Sequence, residues 1–103
     1  MIVYISGQMS GLPDNNYPAF DAAAERLRSE GHRVINPADT SRMVDQNRAF
    51  WYHTEATWLD YMVENMQRMK HATAIHFLPG WQNSYGARIE ALVAEKMNLK
   101  EIP

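Results

Sequence analysis

The sequence predicts one α/β domain over residues 1–103, a three-layer α/β/α sandwich on a small, mainly parallel sheet. Short apolar segments that suit strands alternate along the chain with longer amphipathic segments that suit helices. Glycine and proline stand between several of these segments, where turns are needed. With 103 residues and 46% hydrophobic side chains, the chain can fill one core and leaves little for a second.

The first part of the chain predicts two strands that flank a helix. Ile2 to Ser6 is a buried strand, and Arg33 to Ile35 is a second one that Asn36-Pro37 ends. A helix begins at Tyr17-Pro18, because proline is tolerated in a first turn, and it ends at Gly31. The core face of this helix comprises Phe20, Ala23, Ala24 and Leu27.

The second part predicts two more helices and two more strands. Residues 38–53 give no clear pattern apart from the aromatic cluster Phe50-Trp51-Tyr52. A helix runs from about Thr54 to His71, a third strand from Ala74 to Leu78, and a last short strand from Leu99 to Ile102. The core face of the helix before the third strand comprises Trp58, Leu59, Met62, Met66 and Met69.

Such a sheet, of flavodoxin-like or Rossmann-like type with about four to five strands, binds ligands beyond the carboxyl ends of its strands. The loops at residues 7–16 and 79–86 qualify. The first loop has Gly7 and Gly11 but not the third glycine of a dinucleotide fingerprint, so no nucleotide cofactor is predicted. Gly7 either allows a ligand to approach the backbone closely or only forms a tight turn. Tyr4 reaches a site from its strand or belongs to the core.

The helix after residue 84 carries the strongest functional signal. Ser84 stands at the predicted N-cap, and Gly86 in the first turn leaves room for a ligand beside free backbone amides. An ordinary N-cap is the alternative. Glu90 projects near the middle of an apolar arc on this helix. The arc comprises Ala87, Ile89, Ala91, Leu92, Val93, Ala94 and Met97.

A carboxylate at that position needs a reason to be there. Removing it from water costs several kcal/mol unless it is paired or hydrogen-bonded, and this cost is tolerated where the group has chemistry to perform. The alternative is that Glu90 pairs with a buried arginine or caps a loop. Asn65, at the edge of the preceding helix's apolar face, is a structural amide or a ligand contact.

Composition and charge exclude several classes of protein. A formal net charge of −2 argues against a broad surface for nucleic acid, so no nucleic-acid polymer is expected as a partner. No apolar run approaches the roughly 18 residues of a membrane span, so no membrane is expected either. The absence of cysteine removes disulfides and thiolate sites and fits a cytoplasmic location. The histidines lack metal-ligand spacing, and no metal is predicted.

Four segments form a specific combination: VYISGQMSG at 3–11, NYPAF at 16–20, Asn36-Pro37, and LPGWQNSYGARIE at 78–90. Together they resemble a small family of phage and bacterial proteins in the nucleoside 2-deoxyribosyltransferase-like superfamily. The resemblance covers nearly the whole chain and is weakest across residues 40–55. It implies cleavage of the N-glycosidic bond of a deoxynucleoside or its 5′-monophosphate, or transfer of the deoxyribosyl group.

The resemblance also implies roles for individual residues. The superfamily glutamate that matches Glu90 attacks C1′ of the sugar and forms a covalent glycosyl-enzyme, from which water or a second base takes the sugar. Ser84 and Gly86 match residues that hold the 5′-phosphate in the monophosphate hydrolases. The remaining pocket residues are Tyr4, Gly7 and Gln8. Self-association is expected too, because superfamily relatives form dimers or larger assemblies that often share a pocket.

The chain departs from the superfamily pattern at three positions. Asn65 stands where relatives have an aspartate that assists the departing base, and an amide cannot supply general acid catalysis, which is worth roughly 10²–10⁴-fold. Thr73 replaces a second aspartate, and Ser10 replaces an arginine of the phosphate-specific relatives. Asn65 is still expected to contact the base. These departures favour, as the alternative, a catalytically inactive nucleotide-binding module. The aromatic cluster at 50–52 suggests a third hypothesis, a protein-interaction domain.

Overall fold

The computed structural model describes residues 1–51 and 55–103, and the side chains of residues 1–47 and 55–103. Within these ranges, all the strands lie parallel in one sheet: β1 (Ile2–Ser6), β2 (Arg33–Ile35), β3 (Ala74–Phe77) and β4 (Lys100–Glu101). The spatial order is β2-β1-β3-β4, with β1 paired to β2 and β3, and β3 paired to β4. This order matches the first four strands of a flavodoxin-like sheet, which confirms the predicted fold class.

Helices cover both faces of the sheet, as α1 (Tyr17–Ser29), α2 (Pro37–Trp51), α3 (Trp58–Met69) and α4 (Tyr85–Lys96). Odd-numbered residues of β1 pack on one face against α1, because successive side chains of a strand point to opposite faces. This first core cluster includes Val3, Ile5, Phe20, Ala24 and Leu27. The second cluster joins the other face to α3 and α4 and includes Tyr4, Met69, Ile75 and Ala94. These clusters give the three predicted layers.

Helix α2 was missing from the sequence prediction. It begins because the Asn36 side chain accepts a hydrogen bond of 3.0 Å from the Ala38 amide, with Pro37 as the first helical residue. The sequence pattern predicts Asn36-Pro37 only as the end of the second strand and not as the start of a helix. The buried residues of α2 include Thr40 and Ser41, which weakens the apolar periodicity that predicts a helix. The aromatic cluster at 50–52 lies outside the described side chains.

Helix α3 begins at Trp58, later than predicted, because Thr57 and Asp60 form a capping box. The predicted start at Thr54 lies outside the described residues. Met62 and Met69 are buried as expected, but Trp58 and Leu59 are exposed, so their placement in the core was wrong. Neither Trp58 nor Leu59 belongs to the core cluster that α3 shares with the sheet.

Helix α4 buries only part of the predicted apolar arc. Ile89 and Leu92 are exposed, whereas the buried residues of the helix are Gly86, Ala87, Glu90 and Ala94. Small residues let the helix axis approach its neighbours closely, so they form the contact and the large apolar residues beside them stay outside. Across the described residues, no helix has both the length and the apolar character needed to cross a bilayer.

Candidate functional site

A cavity of about 360 Å³ lies where β1 and β3 end. Its walls include Gly7, which directly follows β1, and the first turn of α4 from Ser84 to Ala87. The chain connects β1 to β2 on one side of this point and β3 to β4 on the other. The cavity therefore occupies the switch point in strand order, where sheets of this type bind ligands.

Glu90 is the buried carboxyl group of this cavity, with 4% of its surface exposed. The Tyr4 hydroxyl donates a hydrogen bond of 2.5 Å to Glu90 Oε2. The Ser6 hydroxyl donates a second, of 2.7 Å, to Glu90 Oε1. Tyr4 and Ser6 lie on the same face of β1, two residues apart, so one strand holds both oxygens of the carboxyl group.

Burial controls the ionisation of this cluster. It raises the pKa of Glu90 to about 7, and the hydrogen bonds from Tyr4 and Ser6 oppose that rise because they stabilise the carboxylate. Burial, together with the charge of Glu90, raises the pKa of Tyr4 well above its usual range. Tyr4 is therefore a donor at neutral pH. Among the described residues, hydroxyl groups hold Glu90, rather than the arginine that a buried ion pair would need.

The first turn of α4 contributes the next part of the site. Ser84 Oγ accepts a hydrogen bond of 3.2 Å from the Ala87 amide, which confirms the predicted N-cap. The amides of Tyr85 and Gly86 precede the first intrahelical hydrogen bond and face no acceptor within the helix. A Cβ at Gly86 would lie 3.1 Å from Met62 Sδ, so this glycine also allows α3 and α4 to pack closely. Ser84, Gly86 and Glu90 line the same cavity.

Asn65 lies in the wall of the cavity and is only 8% exposed. Its side-chain oxygen Oδ1 is buried and has no hydrogen-bond partner among the described residues. A buried polar atom without a partner costs about 1–3 kcal/mol. The sequence predicts Asn65 at the edge of an apolar face, whereas the structure buries it in the wall of the cavity.

The predicted residues of the first loop have mixed roles. Gly7 and Gln8 both line the cavity. A Cβ at Gly7 would lie 2.9 Å from Leu78 Cβ, so packing against the end of β3 requires glycine there whether or not a ligand approaches. Tyr4 is fully buried and lies outside the cavity wall, which it reaches only through its hydrogen bond to Glu90.

Ser6 and the aromatic wall are the residues that the sequence analysis missed. The alternation that directed attention to Tyr4 also places Ser6 on the same face of β1, and that signal could have identified it. The aromatic wall has no local signal, because its members come from three helices that are distant in sequence. It comprises Tyr17, Phe20, Trp58, Tyr61 and Tyr85.

The site as described combines a buried carboxyl group, free helix amides and aromatic walls. Over the ranges that the structure covers, no group of three or more histidine, aspartate or glutamate residues could hold a metal ion. His76, one of the histidines of the sequence, makes a hydrogen bond of 2.9 Å with the carbonyl oxygen of Ile102 instead.

The fold and the cavity define a parallel α/β domain with a buried carboxyl group at its switch point. The chain belongs to the family described as a domain of unknown function (DUF4406), whose model matches residues 1–102. No curated protein matches the chain. The family description states no activity.

Proposed function

We propose that this protein cleaves the N-glycosidic bond of a deoxynucleoside or its 5′-monophosphate, or transfers the deoxyribosyl group to a second base. The observation that carries the proposal is the Glu90 carboxyl group, buried in the wall of a cavity and held at both oxygens by hydroxyl groups. Each carboxylate oxygen keeps a further lone pair for a reacting atom. A buried carboxyl group with a strongly raised pKa is typical of functional sites.

The reaction has two steps, as in retaining glycosidases. A Glu90 oxygen forms a bond to C1′ of the sugar while the bond from C1′ to the base nitrogen breaks, and its electron pair leaves with the base. Water, or a second base in a transfer, then forms a bond to C1′ while the bond from C1′ to the Glu90 oxygen breaks and releases the carboxylate. The proton that the water or second base loses goes to the base that left with the electron pair. Tyr4 and Ser6 are positioning residues, because they orient the carboxylate without touching the substrate.

The cavity walls suit the rest of such a substrate. Tyr61 and Trp58 offer flat faces for a nucleobase, and aromatic stacking on a base is worth about 1–3 kcal/mol. Ser84 and Gly86, at the amino end of α4, suit the 5′ oxygen of the sugar or a 5′-phosphate. Asn65 is proposed as the contact to the base.

A catalytically inactive nucleotide-binding module is the second candidate function. Asn65 favours it, because an amide can hydrogen-bond a departing base but cannot protonate it. The buried Asn65 Oδ1, which has no partner among the residues that the structure describes, fits a binding role as well as a catalytic one. The two functions share the ligand and differ in turnover.

The deciding experiment incubates the protein with a panel of deoxynucleosides and their 5′-monophosphates and measures free base by chromatography. We expect base release by the wild type and only background release by Glu90→Gln. Glu95→Gln is the matched control, because it makes the same change at an exposed position of α4 and should leave release intact. Ligand binding without base release in any sample would establish the binding module instead. The absence of both binding and release would reject both functions.

We also propose that copies of this chain associate through α3 and α4, in the cytoplasm. The two helices contact each other near Met62 and Gly86, and both expose large apolar side chains. Trp58 and Tyr85, exposed by 53% and 76%, also line the cavity, so a second copy seated here would complete its wall. Exposed apolar surfaces of this kind mark interaction sites. The exposed apolar residues of these helices are Trp58, Leu59, Val63, Tyr85, Ile89 and Leu92.

A further inference from the structure

The charges around the cavity limit the ligands that it can hold. Among the described residues of the cavity wall, Glu90 is the only carboxyl group, and no lysine, arginine or histidine is present. Ser10 lines the cavity on the first loop and offers a hydroxyl rather than a cation. A ligand with negative charge would therefore meet one buried acid and, within the described wall, no cationic side chain.

Two arginines lie close to the wall but are engaged elsewhere. The Arg42 guanidinium lies over the Tyr17 ring and forms ion pairs with Asp21 at 2.7 Å and Asp39 at 3.0 Å. These two carboxylates compensate its charge. The Arg88 guanidinium lies over the Tyr85 ring.

Arg88 also donates a hydrogen bond of 3.0 Å to the Gln82 carbonyl oxygen, which holds it beside the loop before α4. Neither Arg42 nor Arg88 belongs to the cavity wall. Within the wall that the structure describes, a phosphate would meet only the backbone amides of the first turn of α4 as a positive group, and a helix terminus carries only about half an elementary charge.

A phosphate would also act against Glu90. Its negative charge favours the protonated form of a nearby carboxyl group, and Glu90 already has a pKa of about 7. Each further unit of pKa reduces the carboxylate fraction about tenfold once the group is mostly protonated. A bound monophosphate would thus reduce the fraction of Glu90 in the carboxylate form that attacks the sugar.

The wall does contain one unused acceptor. Asn65 lines the cavity, and its buried side-chain oxygen Oδ1 has no hydrogen-bond partner within the described part of the chain. An acceptor in that state is satisfied when a ligand brings an N–H or O–H donor, and sites that hydrogen-bond a substrate in this way reject analogues without the donor.

We propose that the cavity selects an uncharged deoxynucleoside over its 5′-monophosphate, and that Asn65 Oδ1 accepts a hydrogen bond from a donor group of that nucleoside. This inference rests on the proposed function and narrows it. The Ser84 and Gly86 end of the cavity then receives the 5′-hydroxyl of the sugar, and the amide of Asn65 determines which base is held.

The first test compares each deoxynucleoside with its own 5′-monophosphate, by kcat/KM where base is released and by calorimetric Kd where it is not. We expect the nucleoside to be preferred by about tenfold or more. An equal or opposite preference would overturn the inference and leave the proposed function standing. If the protein neither binds nor cleaves any nucleoside or monophosphate of the panel, the proposed function is rejected, and the inference with it.

The second test examines the acceptor with Asn65→Leu, a change that keeps the branching of the side chain and removes the oxygen Oδ1. Nucleoside binding should weaken about tenfold or more, while the free protein unfolds at the same or a higher temperature. Gln67→Leu, at an exposed position of the same helix, is the control and should bind as the wild type does. Unchanged binding by Asn65→Leu, or weaker binding explained by a loss of folding, would refute this role for Asn65.

Discussion

Tyr4 and Glu90 lie 86 positions apart in the chain, yet the Tyr4 hydroxyl donates a hydrogen bond of 2.5 Å to the Glu90 carboxyl group. With Ser6 on the other oxygen, this contact ties β1 to α4 at the wall of the cavity. The same contact joins the stability of the fold to the chemistry of the site, because both depend on the protonation of one buried group.

Stability should fall as pH rises through the titration of Glu90. The pKa of this group is raised from 4.5 to about 7 in the folded protein, so the folded state binds more protons between these values. The free energy of unfolding then decreases from about pH 4.5 to about pH 7, by about 3 kcal/mol, and is flat above. Urea unfolding at several pH values measures it.

Glu90→Gln supplies the control for that experiment, since it removes the titrating group and keeps the side-chain volume. The difference in unfolding free energy between wild type and variant should change across this window and nowhere else. A difference that is constant with pH would show that Glu90 titrates alike in the folded and unfolded protein.

Tyr4→Phe should shift the pH dependence of base release to higher pH. The Tyr4 hydrogen bond lowers the pKa of Glu90, so its removal raises that pKa, and the reactive carboxylate then forms only at higher pH. One hydrogen bond to a charged group is worth about 1.5–3 kcal/mol, which corresponds to about one to two pH units.

Ser6→Ala should shift the same profile in the same direction, because Ser6 also stabilises the carboxylate. The kcat/KM profile of each variant, recorded beside the wild type, measures the shift. An unmoved midpoint with a uniformly lower rate would mean that Tyr4 orients Glu90 without affecting its ionisation.

Gly7→Ala should destabilise the fold through a single contact. The new Cβ would lie 2.9 Å from both Cβ and Cδ1 of Leu78, a distance that forces one of the two strand ends to move. Overpacking of this kind typically costs about 1–3 kcal/mol. The double variant Gly7→Ala with Leu78→Gly should lose less stability than the sum of the single changes, because Leu78→Gly removes the Cβ and Cδ1 atoms that the new methyl group would meet. Thermal unfolding tests this, and strict additivity would contradict the contact.

Charge placed on the exposed face of α4 should disrupt self-association. Leu92→Arg puts a cation at a 64% exposed apolar position, where an interface would have to bury it. We expect the dissociation constant of the assembly to rise at least about tenfold, or about 1.4 kcal/mol, by sedimentation velocity. Ala22→Arg, exposed on α1 at the opposite face of the sheet, is the control. Equal effects of both substitutions, or a monomeric wild type, would argue against this interface.

Local patterns predicted much of the fold because their causes are local. The N-cap of α4 follows from the hydroxyl of Ser84, and the end of α1 from Gly31, whose φ of +92° suits a residue without a side chain. The strands β1 and β3 follow from short runs of buried apolar residues. The parallel α/β class then follows from the alternation of these elements along the chain.

The buried faces of the helices were harder to predict, because periodicity gives the direction of an apolar arc and not the elements that pack against it. Ile89 and Leu92 lie on that arc and are exposed, since close packing selects the small residues beside them. Helix α2 was missed because Asn36 and Pro37 were interpreted as a strand end, and the buried face of α2 is partly polar. Both errors concern neighbours that are distant in sequence.

The sequence by itself determined the parallel α/β class, the helix start at Ser84 and the exceptional position of Glu90, because each depends on residues within a few turns of one another. Only the tertiary structure decided the partners of Glu90 and the burial of Asn65. Pairing β1 with β3 and packing α4 across them brings Tyr4 and Ser6 to the carboxyl group. No local sequence pattern predicts the contact of Tyr4 and Ser6 with Glu90, because this contact depends on the order of strands in the sheet.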